Sequence, residues 1–128
     1  MMIPPRLAKG YEQFRREQFP KEVERYKVLA LEQKPHTMVI ACADSRVDPT
    51  TIFQASAGEL FTVRNVAALV PPFEELGHYH GTSAAVEFAV TELGVESIVV
   101  LGHAQCGGVA ASLKAAGNAA PAGLFIGP

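Results

Sequence analysis

The sequence predicts an α/β fold, a mostly parallel sheet flanked by helices. Two patterns and one bulk property predict it. Short apolar runs, "TMVIAC", "ELFTVRN" and "SIVVLGH", are rich in strand formers and suit buried parallel strands. Segments of helical pattern lie between them, as in βαβ units. The chain has 128 residues, 48% of them hydrophobic, which is enough for one domain with its own core.

The elements follow in order. Residues 1–34 read as an N-terminal helical arm on a single domain spanning 1–128. Within the arm, "RLAKGYEQFRREQF" is a short amphipathic helix, and Pro20 sits at the first helical position of a second. That second helix, "KEVERYKVLALEQ", places Val23, Tyr26, Leu29 and Ala30 near helical spacing, and Pro35 ends it. The first strand, "TMVIAC", leads into "SRVDPTTIFQ", a turn and short helix with Asp48 as N-cap before Pro49. "ELFTVRN" is the second strand. "VAALVPPFEELGHYHG" is irregular, broken by Pro71-Pro72. "TSAAVEFAVTEL" is a helix capped by Thr82 or Ser83, with Ala85, Phe88, Ala89 and Leu93 inward and Gly94 ending it. "SIVVLGH" is a third buried strand, and "CGGVAASLKAAG" opens a last helix.

Composition excludes several classes. The formal charge is −2, whereas a dedicated nucleic-acid surface carries a basic excess. The basic residues cluster before Lys34 but alternate with glutamate, the pattern of solvated helix faces. No apolar run approaches the ~18 residues of a membrane span, and the N-terminus has no signal-peptide core. The expected location is the cytoplasm, where the two cysteines stay free, catalytic or metal-bound.

Those cysteines stand in "ACADSRVDP" and "VLGHAQCGGV". Cys42 ends the first strand and His103 the third, so both fragments point at one sheet edge if the strands are neighbours. Ligands bind at such edges in α/β sheets. Two thiolates, an imidazole and a carboxylate (Cys42, Cys106, His103, Asp44) match the donors zinc accepts, at about 2.0–2.3 Å each. Cys42 and Asp44 share a face at i, i+2 if the strand continues. Cys106 opens a helix, where a thiol ionises more easily. Each residue alone reads more often as packing: a cysteine beside an apolar strand, a hydrogen-bonded histidine at a strand end. Arg46 adds an alternative for Asp44, a directional ion pair that leaves three ligands and one open position. Gly107 and Gly108 either admit a small substrate or pack a helix start tightly. A cysteine phosphatase is excluded, because Asp48 and Ser112 stand where an arginine would follow each cysteine by six.

Taken together, "CADSRVDP", "FTVRNVA", "HGTSAAVEFAV" and "GHAQCGG" resemble the β-class carbonic anhydrases, over about residues 33 to 109. The resemblance implies an α/β fold that forms homodimers or higher homo-oligomers. It implies one Zn2+ per chain and a zinc-bound hydroxide that interconverts carbon dioxide and bicarbonate. Carried over, Cys42, His103 and Cys106 are zinc ligands. Asp44 is a fourth ligand in a closed form, or the partner of Arg46 in an open, catalytic form. Gln33, Phe61, Val66, Phe88 and Gly107 fall on substrate-pocket positions, Gln33 reaching the partner subunit's pocket. His78 and His80 are candidate proton shuttles. Val39 stands where some members use tryptophan in a regulatory bicarbonate site, so that regulation is not expected. Family members continue past "GLFIGP", so the fold is expected to be truncated at its C-terminus, with apolar surface left uncovered. Two alternatives share the ligand set: a relative acting on another heterocumulene such as carbon disulfide, and an inactive zinc-stabilised fragment.

Overall fold

A computed structural model describes residues 3–117. The described residues fall into two compact units that divide between Gln33 and Lys34.

The first unit is mostly helical. Helix α1 (Pro5–Gln13) runs into a wider π-type turn at Phe14–Gln18 and a tight turn at Phe19–Lys21, and α2 follows at Val23–Leu29. Pro20 therefore belongs to the tight turn, and α2 starts three residues later than the sequence predicts. Phe14, Phe19 and Tyr26 pack their rings together, with centroids 5.2–6.2 Å apart. Aromatic clustering of this kind gives a short helical segment its hydrophobic centre.

The second unit holds a three-stranded parallel sheet of order β2-β1-β3. Its strands are β1 (Thr37–Cys42), β2 (Leu60–Asn65) and β3 (Ser97–Leu101). β1 is central and buried from Met38 to Cys42, as its unbroken apolar run requires. In register, Cys42 lies opposite Asn65, and Ala41 opposite Leu101. The helices are α3 (Pro49–Ile52), α4 (Gly81–Thr91) and α5 (Gly107–Ala116). α4 covers one face: Ala89 packs with Met38 and Ile40, joined by Phe61, Val63, Ala85, Val86 and Val95.

Local chemistry fixes the joins. Asp48 caps α3 as expected, accepting from the Thr51 N–H and hydroxyl at 2.9 Å each. α4 departs from expectation at its start. It begins at Gly81 behind His80 with no side-chain cap, because the Thr82 hydroxyl is instead taken by Asn65 Nδ2, 3.2 Å away. Gly94, at φ +63°, turns the chain into β3 as glycine allows.

β3 itself corrects an expectation. It is not buried: Ile98, Val99 and Val100 are 37–56% exposed. Among the described residues it pairs only with β1, so it is an edge strand, and its apolar side chains are not enclosed.

One glycine decides how α5 seats. A Cβ on Gly108 would stand 2.6 Å from Val66 Cγ1, 2.9 Å from Ala67 Cβ and 3.0 Å from Ala67 N. Two of those atoms belong to a rigid turn, so they cannot give way. Gly108→Ala is expected to cost about 1–3 kcal/mol by overpacking, read as a lower urea midpoint. An unchanged midpoint would mean that the turn yields. A Cβ on Gly107 meets nothing within 4 Å. Of the two glycines, it is Gly108 that tight packing requires.

Candidate metal centre

β1 is the point where the sheet order divides, with β2 on one side and β3 on the other. In α/β sheets this is where ligands bind, beyond the carboxyl ends of the strands. Cys42 closes β1. His103 lies two residues past β3, and Cys106 directly precedes α5. Gln105, at φ +56°, makes the sharp turn that brings Cys106 back beside His103.

The result is a cluster of three. The donor atoms of Cys42, His103 and Cys106 lie within 4.8 Å of one another, and the two sulfurs are 3.8 Å apart. Four-coordinate zinc with bonds of about 2.0–2.3 Å holds its donors about 3.5 Å apart, so little movement is needed to close on one ion. The histidine is prepared for that role. Its Nδ1 donates to the Ala104 carbonyl at 2.9 Å, which leaves the lone pair on Nε2. Nε2 is buried with no hydrogen-bond partner. A buried polar atom of this kind needs a partner, and a divalent cation between two sulfurs supplies one.

Electrostatics agree with the geometry. Burial pushes the Cys42 thiol up. The Asp44 N–H, the His103 imidazole, the Ala67 N–H and Cys106 together outweigh it and bring the thiol down to about 7. His103 is held above its ordinary value, chiefly by the Cys42 sulfur it faces, with burial opposing. A lowered thiol against a raised imidazole shares a proton that a metal ion would displace.

Asp44 is not in the cluster. Both its oxygens go to Arg46: Nε to Oδ1 at 2.9 Å, Nη2 to Oδ2 at 2.7 Å, with the Arg46 N–H also on Oδ1 at 2.9 Å. Of the two alternatives the sequence leaves open, this conformation has the paired one, and four converging ligands become three. Arg46, first through its side chain and then through its backbone N–H, holds the Asp44 carboxyl well below the usual carboxylate range. Arg46 is itself anchored on the Gln105 carbonyl at 3.2 Å. Asp44 Oδ2 remains 4.0 Å from His103 Nε2, an ionised acceptor at the edge of the ligand set.

The pocket positions divide. Val66 reaches the site, since its methyl lies against Gly108 at the start of α5. Phe61 and Phe88 stack at 5.9 Å, and Phe61 lies opposite Met38, four residues back from Cys42 along the strands. Phe61 packs against the core, whereas Phe88, expected to face inward, is 44% exposed. Gly107 opens α5 beside Cys106. Gln33 is the exposed last residue of the N-terminal unit. His78 is exposed, and the His80 imidazole packs over Gly77, with neither in the donor cluster.

Two residues with no role assigned from sequence prove structural to the site. Asn65 holds the turn after β2 by accepting from the Leu69 N–H at 2.6 Å and donating to the Leu69 carbonyl at 2.7 Å. That turn carries Ala67 and Ala68 at positive φ and delivers the Ala67 N–H to Cys42. Arg64 donates to the carbonyls of Cys42 and Asp44 and to Asp48. The available signal was two polar residues closing an apolar strand.

A family model described as carbonic anhydrase matches residues 37–125. The mitochondrial β-carbonic anhydrase 6 of Arabidopsis thaliana is 50% identical over 101 residues, 79% of this chain. The chain belongs to the β-carbonic anhydrase family. The solved β-carbonic anhydrase CcaA superposes with TM-score 0.81 at 36% identity, over 88% of this chain and 53% of that one. Two tetrameric β-carbonic anhydrases of the ascomycete Sordaria macrospora give TM-score 0.62 at 35% identity, over 84% of this chain and 49% of theirs. The chain spans about a third of the plant relative and half of these structures: 34%, 53% and 49%. Carbonic anhydrases of this class use zinc, and Cys42, His103 and Cys106 form a group that could hold one such ion.

Proposed function

We propose that the protein catalyses the reversible hydration of carbon dioxide to bicarbonate and a proton, with one zinc per chain. The observation that carries this reading is the three-donor cluster with an ionised carboxylate locked beside it. Zinc in such a site is a Lewis acid that lowers the pKa of water from about 15.7 to about 7. Three protein ligands leave a fourth position for that water, the catalytic arrangement.

The protein's own groups supply the rest. Asp44, kept ionised by Arg46, is an acceptor and cannot donate. It accepts a hydrogen bond from the attacking water and so fixes which lone pair faces the substrate. Arg46, bonded to Asp44 and to the Gln105 carbonyl, holds the carboxylate away from where the metal would sit. Val66, 48% exposed beside the site, offers carbon dioxide an apolar surface with no competing hydrogen bonds. The tetrameric relatives support a homo-oligomer, with a dimer as its unit and Gln33 serving the partner's pocket. A reducing compartment such as the cytoplasm suits two free thiols 3.8 Å apart.

The test is stopped-flow hydration alongside zinc analysis. One zinc per chain with hydration that rises through neutral pH is expected. Full zinc without hydration from neutral to alkaline pH would make this a zinc-stabilised domain. Failure to bind zinc would remove the reading altogether.

A further inference from the structure

Arg64, on the strand next to β1, bonds neither side chain of the Asp44–Arg46 pair, yet its guanidinium is committed to the loop that carries that pair. Nε donates to the Cys42 carbonyl at 2.9 Å, Nη2 to the Asp44 carbonyl at 2.7 Å and Nη1 to Asp48 Oδ1 at 3.2 Å. The residue is largely covered, its side chain 28% exposed. Three directions of the planar fork thus meet three acceptors, an arrangement lysine cannot copy. Asp48 is fixed in turn, since its other oxygen caps α3. The chain from Cys42 to Asp48 is therefore pinned at both ends and in the middle by one side chain of β2.

The consequence concerns Asp44. Its backbone carbonyl is held from one side by Arg64 while its carboxylate is held from the other by Arg46. Oδ2 already lies 4.0 Å from His103 Nε2. A carboxylate so near a divalent cation is drawn to it unless its main chain is held back. Arg46 alone restrains only the mobile end of that side chain.

We propose that Arg64 is a positioning residue that keeps the fourth metal position open by holding the Asp44 main chain away from the ion. This rests on the metal-site reading above. Arg64 touches neither substrate nor ligand atoms, and acts through the carbonyls of Cys42 and Asp44. When it is lost, Asp44 swings onto the metal and occupies the place of water.

The test uses the cobalt(II)-loaded protein and azide as the probe, read by visible absorption. Azide adds at an open position and shifts the spectrum. In Arg64→Met, apparent azide affinity is expected to fall about tenfold or more, as the competent state becomes the minor one. Arg64→Lys is expected to fall between Arg64→Met and the natural protein. The decisive comparison is the pair Asp44→Asn and Arg64→Met/Asp44→Asn, which should bind azide equally, because without the carboxylate Arg64 has nothing to restrain. Equal azide affinity in Arg64→Met and the natural protein would overturn the proposal. So would the same loss from Arg64→Met in both backgrounds, which would mark a general loosening of the site. If the natural protein takes up no cobalt, it is the metal-site reading that fails. If cobalt binds and only the coupling is missing, the Arg64 proposal alone fails.

Discussion

Replacing Cys106 with serine is expected to strip the metal and abolish hydration. A hydroxyl at this position stays protonated at neutral pH, whereas zinc requires the thiolate. The site then keeps only Cys42 and His103, too few donors to hold the ion. Losing even an outer-shell partner weakens metal binding about 10–100-fold, so the loss of one of three ligands should exceed that range. Metal analysis after gel filtration reads it directly. Thermal unfolding gives a second measure: zinc should raise the melting temperature of the natural protein and leave the variant unmoved. A variant that retained one zinc per chain would place the metal elsewhere.

Asp44→Asn is expected to separate metal binding from turnover. Asparagine matches the carboxylate in size and retains one acceptor oxygen. It carries no charge, and its amide offers Arg46 a donor where the guanidinium needs an acceptor. Zinc should remain at one per chain, because Cys42, His103 and Cys106 are untouched. Turnover should fall by a factor on the order of 10²–10⁴, the range for losing a positioned proton acceptor. The measurement is hydration rate per bound zinc. If the substitution instead empties the site while turnover per remaining zinc holds, Asp44 is a ligand first and its pairing with Arg46 has no catalytic consequence.

Much of this was legible in the chain itself. β1, β2 and β3 were each readable from short apolar runs, because β-branched and aromatic side chains suit an extended, pleated backbone whether the strand is central or at an edge. Asp48 was readable as a cap because Asp-Pro before a short helix has one local solution. The metal donors were readable because strand alternation with helices puts Cys42, His103 and Cys106 at one sheet edge. These are short-range or topological facts.

Other features depended on which atoms happen to meet. Composition cannot tell an edge strand from a central one, so β3 looked buried in sequence and is exposed in the structure. Phe61 and Phe88 carried pocket roles by resemblance; in the structure their rings meet each other, Phe61 against the core four residues back from Cys42 and Phe88 44% exposed. Gly107 and Gly108 are neighbours of one kind, and only the approach of Val66 and Ala67 distinguishes the second. Arg64 read as a polar strand end until three acceptors from a segment some twenty residues earlier closed around it.

The sequence by itself determined the strands, the helix cap and the three donor residues, because backbone preference and side-chain chemistry act over a few residues and repeat with a fixed period. Only the tertiary structure decided that Asp44 stands off the cluster in the grip of Arg46, with Arg64 behind it. Hydrogen bonds form between particular atoms at about 3 Å, and no spacing along a chain says which of several acceptors a guanidinium will reach.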